Sequence, residues 1–110
     1  MSQGDVVPQV PAAEVPADAF LLDVREDDEW VAGHIAGALH IPLGELGARY
    51  TEIDRAATLY VICRSGRRSD RAAQALAGAG WQAHNVADGM IGWNAAGRPM
   101  TSESGQPYVA

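Results

Sequence analysis

The chain contains a single cysteine, Cys63, followed directly by Arg64-Ser65-Gly66-Arg67-Arg68-Ser69. A thiol attacks as its thiolate, and nearby cations or a helix N-terminus favour that form. Both are implied here. Every basic residue of the chain is an arginine, and four of the eight (Arg64, Arg67, Arg68, Arg71) lie between Cys63 and Arg71, beside one acid, Asp70. Gly66 can adopt a left-handed conformation at little cost because it has no Cβ. A loop that curls there would turn successive N–H groups into an anion-binding nest backed by the following helix. Arg64, Arg67 and Arg68 could then hold an oxyanion in forked geometry. Taken alone, a cysteine at a strand end is usually a small buried hydrophobe, and an arginine cluster is usually a solvated helix start. Their conjunction with a glycine loop is what points to nucleophilic chemistry.

The elements around this segment have to bring the sulfur to an open edge. Thr58-Leu59-Tyr60-Val61-Ile62-Cys63 is β-branched and aromatic with no polar alternation, so it predicts a strand covered on both faces that ends at the cysteine. A helix is expected from Ser69, with Asp70, Arg71, Gln74 and Gly78 outward and Ala72, Ala73, Leu76 and Ala79 inward. Upstream, a short edge strand is expected near Val6–Val10, another strand at Ala19–Val24 and a third at Ala38–Ile41. Between the last two, Glu26–Glu29 suit the positive end of a short helix with Trp30 and Val31 inward. Pro42 opens a helix to about Arg49. Downstream come a strand at Gln82–Ala87 and a helix at Gly89–Ala96. Strands alternating with short helices predict an α/β domain with a mainly parallel sheet, whose ligands bind beyond the carboxyl ends of the strands. Cys63 stands at one such end.

Composition narrows the rest. The 110 residues fit one domain, with a core over about 6–100 and a polar tail, 101–110, expected to be mobile. A net charge of −6 disfavours nucleic acid as a partner. No apolar run is long enough to span a bilayer, so no membrane partner is expected. One cysteine cannot form an intramolecular disulfide or a four-cysteine metal site. Without a basic, apolar secretory leader at its start, the chain is expected in the cytoplasm.

Three ordered motifs then carry a resemblance to the rhodanese family of sulfurtransferases. Cys63–Ser69 resembles the active-site loop of single-domain members. Gly33-His34-Ile35-Ala36-Gly37-Ala38-Leu39-His40-Ile41-Pro42, preceded by Leu22-Asp23-Val24-Arg25-Glu26, resembles the first family signature. Gly89-Met90-Ile91-Gly92-Trp93 through Ala96-Gly97-Arg98-Pro99 resembles the last. The resemblance implies a three-layer sandwich, a central mainly parallel sheet flanked by helices, with no metal or organic cofactor. It implies that Cys63 takes a sulfane sulfur from an anionic donor such as thiosulfate and passes it, as a persulfide, to a thiophilic acceptor such as cyanide or a thiol. Arg64, Ser65, Gly66, Arg67, Arg68 and Ser69 would bind substrate, while Asp23 and Arg25 would be structural supports. Asp88 departs from the pattern, standing where many relatives have a second glycine.

Rival readings fare worse. A related phosphatase or arsenate reductase has a loop one residue longer and an arginine where Ser69 stands. A Cys–His hydrolase would need His34, His40 or His84 as base, without any supporting spacing. A metal site from Cys63, His34 and His40 lacks a fourth protein ligand. The alternative from another class is a persulfide carrier or regulatory module whose partner, a sulfur-accepting protein, is recognised by the same loop.

Overall fold

The computed structural model describes residues 6–110. Five strands form one sheet: β1 (Gln9–Val10), β2 (Phe20–Asp23), β3 (Leu39–His40), β4 (Thr58–Ile62) and β5 (Gln82–Val86). Their spatial order is β1-β5-β4-β2-β3, and every pairing is parallel. β4 lies in the middle, with Leu59 opposite Phe20 on one side and Ala83 on the other. The helices are α1 (Asp27–Ala32), α2 (Leu46–Arg49), α3 (Arg67–Gly78) and α4 (Gly89–Ala95).

The absence of alternation in β4 has a direct cause, because both of its faces are buried. Leu59 and Val61 pack with Leu46 of α2 and with Ala72, Ala73 and Leu76 of α3. Ile62 points the other way, into a cluster with Val86 and with Met90 and Trp93 of α4. The alanine face of α3 lets that helix approach the sheet closely. This three-layer arrangement leaves the carboxyl end of β4 as the place where Cys63 emerges. No helix among the described residues is long and apolar enough to cross a membrane.

Several expectations shift. The edge strand is shorter than expected, at Gln9–Val10, and α3 begins at Arg67, two residues before Ser69. The stretch after Pro42 is a 3-10 turn (Leu43–Glu45), the single turn of α2 and a second 3-10 turn (Tyr50–Glu52). Val31 is not inward but 53% exposed. Ala32 fills the buried position instead, and Trp30 is clasped between the rings of His34 and His40.

The tail differs most, since it packs back on the domain. Thr101 and His34 exchange backbone hydrogen bonds (2.7 and 2.9 Å), and the Tyr108 N–H donates to Ala32 O at 3.1 Å. A Cβ on Gly33 would stand 2.5 Å from Tyr108 O, so only glycine admits this close approach. The polarity of residues 101–106 conceals Val109, which packs against the α4-side cluster.

Candidate active site

Cys63 is the first residue beyond β4, and the chain from there to Arg67 folds back over its sulfur. Gly66, at φ 102°, caps the start of α3. A Cβ there would lie 2.0 Å from Ala87 O, so conformation and space both demand glycine. The turn aims the Gly66 N–H at Cys63 Sγ, 3.1 Å away. One turn on, the Ser69 hydroxyl lies 3.2 Å from the same sulfur. Cys63 is only 1% exposed, and that burial works against ionisation. The Ser69 hydroxyl and the N–H groups of Ser69, Gly66 and Ser65 outweigh it and hold the thiol below its ordinary value. The sulfur thus sits in an amide nest rather than among hydrocarbon alone.

The loop arginines divide into three situations. Arg68 is committed: its guanidinium makes a fork with Glu29 of α1, at 2.7 and 2.8 Å. That pairing holds the Glu29 carboxyl below the ordinary carboxylate range and raises Arg68. Arg64 donates through Nε to Ala110 O at 3.0 Å. Arg67 is exposed and lines a polar cleft of about 710 Å³ beside the loop, together with Gln9, Arg71, Asn85 and Ser65. The candidate residues Cys63–Ser69 are therefore brought together; Arg67, Arg68 and Arg71 line the cleft with Asp70, the Arg68 guanidinium being already paired with Glu29, and Arg64 is not among the lining residues.

Asp23 and Arg25 form a buried fork at the end of β2. Arg25 Nη2 reaches Asp23 Oδ2 at 2.8 Å and Nε reaches Oδ1 at 3.0 Å. The same guanidinium donates to Glu29 O (3.2 Å) and Gly33 O (2.8 Å). It thereby ties α1 to the carboxyl end of β2, and α1 in turn presents Glu29 to Arg68.

Three residues that touch this site were not singled out from the sequence. Asn85, on β5 and 2% exposed, donates through Nδ2 to Gly66 O (3.0 Å) and Gln9 Oε1 (2.8 Å). Its Oδ1 lies 2.6 Å from Ser69 Oγ. Gln9 continues the chain to Asp70 Oδ1 at 2.8 Å, and Glu29 is the partner of Arg68. One signal was available for Asn85: it shares a strand face with Ala83, and that face meets α3. A polar residue there must be buried.

The histidines are engaged elsewhere. The His34 Nδ1–H donates to Trp30 O, and the His40 Nε2–H donates to Arg25 O, both at 2.8 Å. His84 stacks on Tyr60. Among the described residues no three His, Cys, Asp or Glu side chains gather where they could hold a metal ion.

Comparison with known proteins shows the family. The family model described as rhodanese-like domain matches residues 11–96. A Bacillus subtilis protein named "Putative sulfur carrier protein" is 45% identical over 74 residues, which is 66% of this chain and 40% of that one. A second from the same organism, named "Putative sulfurtransferase", is 35% identical over 86 residues, covering 78% and 84% respectively. The chain thus spans less than half of the first relative and most of the second. The crystal structure of a rhodanese-related protein from Thermoplasma volcanium superposes with a TM-score of 0.83 at 31% identity, covering 87% of this chain and 99% of that one. With the matched region running from the first 3-10 turn to the end of α4 and the cysteine loop at its centre, the chain belongs to the rhodanese-like domain family.

Proposed function

We propose that the chain is a sulfurtransferase that moves a sulfane sulfur from a compact anionic donor to a thiophilic acceptor through a persulfide on Cys63. The observation that carries this reading is the convergence of the Gly66 N–H and the Ser69 hydroxyl on one sulfur, at 3.1 and 3.2 Å. Such a nest stabilises the thiolate that attacks the donor and that returns once the acceptor has taken the sulfur, with the Gly66 N–H already aimed at that atom. With thiosulfate as donor, the Cys63 thiolate attacks the outer sulfur and the S–S bond to the sulfonate sulfur breaks. Sulfite departs with that electron pair, and the negative charge now rests on the outer atom of Cys63–S–S⁻. Cyanide then takes the outer sulfur as thiocyanate and returns the thiolate. Arg64 and Arg67 face the anion, Ser65 and Gly66 shape the loop, and Arg68 secures it through Glu29.

Intact-protein mass after thiosulfate treatment tests the reading. The expected result is a gain of one sulfur atom, removed by cyanide. An unchanged mass under conditions where Cys63 can be alkylated would overturn it.

The arginine arrangement predicts unequal effects. Arg67→Ala should raise the KM for thiosulfate about five- to tenfold at nearly constant kcat, the loss of one charge-assisted hydrogen bond at an exposed position. Arg68→Ala should lower thermal stability as well, because Glu29 loses its partner. Steady-state kinetics paired with melting curves separates the two; equal melting temperatures would contradict the tether assigned to Arg68.

A persulfide carrier is the second reading, favoured by the name of the first relative and by the commitment of Arg68 to Glu29, which leaves less free charge for a small donor. An enzyme shows ping-pong turnover with thiosulfate and cyanide, whereas a carrier loads once and discharges only to a cognate protein.

A further inference from the structure

We propose that Asn85 decides where the single proton of the Ser69 hydroxyl points, and so acts as the positioning residue that sets how readily Cys63 takes on negative charge. A serine hydroxyl donates once, yet Ser69 Oγ faces two acceptors, Cys63 Sγ at 3.2 Å and Asn85 Oδ1 at 2.6 Å. The orientation of the Asn85 amide is fixed by its neighbours. Its Nδ2 faces Gly66 O and Gln9 Oε1, which only accept. Gln9 is fixed in turn because its Nε2 faces Asp70 Oδ1 and Val7 O. The atom of Asn85 turned towards Ser69 is therefore an oxygen, and the two acceptors compete for one proton.

The competition gives two states. When Cys63 is a neutral thiol, Ser69 donates to Asn85, and the thiol can donate to Ser69 Oγ. When Cys63 ionises, the hydroxyl turns to the sulfur and Asn85 Oδ1 gives up its bond. In the persulfide the charge moves to the outer sulfur, Sγ no longer needs the proton, and Asn85 regains it. The functional meaning rests on the sulfur-transfer reading above; the competition itself does not. The charged groups around this network are Arg68 on α3, paired with Glu29 of α1, Arg67, Arg71 and Asp70, which line the cleft with Asn85, Arg64 beside the cysteine, and the Asp23–Arg25 fork at the end of β2. All of them stay in place in the variants below.

The test is the pH dependence of iodoacetamide alkylation, read by mass on the only cysteine of the chain. It is followed in the wild type, Ser69→Ala, Asn85→Ala and the double variant. Access to the buried sulfur scales the plateau rate, while the midpoint reports ionisation. Ser69→Ala should raise the midpoint. Asn85→Ala should lower it by about half to one pH unit, seen as roughly three- to tenfold faster alkylation on the acid side. In the Ser69→Ala background, Asn85→Ala should have no effect on the midpoint. If Asn85 merely clamps the loop through Gly66 O, its loss raises the midpoint, or shifts it equally in both backgrounds, and the proposal fails. Asn85→Leu, which keeps the volume without an acceptor, should repeat the downward shift if the alanine variant does not fold. Alkylation does not require sulfur transfer, so a failed sulfur-loading assay and a failed coupling are distinct outcomes.

Discussion

Cys63→Ser leaves a folded protein that neither gains sulfur from thiosulfate nor turns over, with activity at least about a thousandfold below wild type. The loss is chemical rather than structural. A serine hydroxyl is not ionised near neutral pH, and no second thiol exists to replace the nucleophile. The fold should tolerate the change because the new hydroxyl keeps the two partners the sulfur had, the Gly66 N–H and Ser69. A stability change within about 1 kcal/mol is expected, since no buried polar group is left without a partner. In the wild type the nest lowers the thiol below its ordinary value. Loading should therefore hold level as pH falls past the ordinary thiol range, declining only below the depressed value, where the thiolate is protonated. Sulfur loading followed by mass, alongside a melting curve, checks each part. Turnover surviving in Cys63→Ser would place the chemistry elsewhere.

What the sequence made legible, and what it hid, follows from the range of the interactions involved. β4 was readable because burial on both faces removes polar alternation from a local run, and the loop because a glycine, a cysteine and several arginines fall within a few residues. Sequence puts the start of α3 two residues late: the polarity of Arg67 and Arg68 reads as loop, whereas Gly66 in the left-handed region starts the helix there. The contact of the tail with the domain is hidden because local polarity says nothing about Gly33, whose missing side chain admits Tyr108 from 75 residues away. Arg68 read as a free cation because its partner, Glu29, is 39 residues away. Locally, the helix dipole alone accounts for that acid. Asn85 is hidden for the same reason, its partners on β1, the loop and α3 being contacts of the folded state. Charge and periodicity report what a segment could do, and only packing reports which of those capacities is already taken.

Arg25→Ala should cost about 3–5 kcal/mol of folding free energy, the largest stability effect expected of a single substitution here. Arg25 and Asp23 are 0% and 1% exposed, so removing the guanidinium strands a carboxylate in the interior. Only the Arg25 backbone N–H, at 3.0 Å, would remain to it among its present partners. The carbonyls of Glu29 and Gly33 lose a donor as well. Against a typical total of about 5–15 kcal/mol for a domain of this size, that is a large fraction. In urea the midpoint should fall sharply at nearly constant slope. The pair is weak evidence of net stabilisation in itself, because burying two charges is expensive; the cost lies in breaking it. The double variant Asp23→Leu with Arg25→Met should therefore recover much of the loss by removing both charges. It should not restore the tie from α1 to the end of β2, since methionine cannot donate to Glu29 O or Gly33 O. Glu29 would then hold Arg68 from a less constrained helix, and sulfur loading should slow even where stability returns. A double variant as active as the wild type would show that the Asp23–Arg25 fork supports the fold alone and has no part in aligning the cysteine loop.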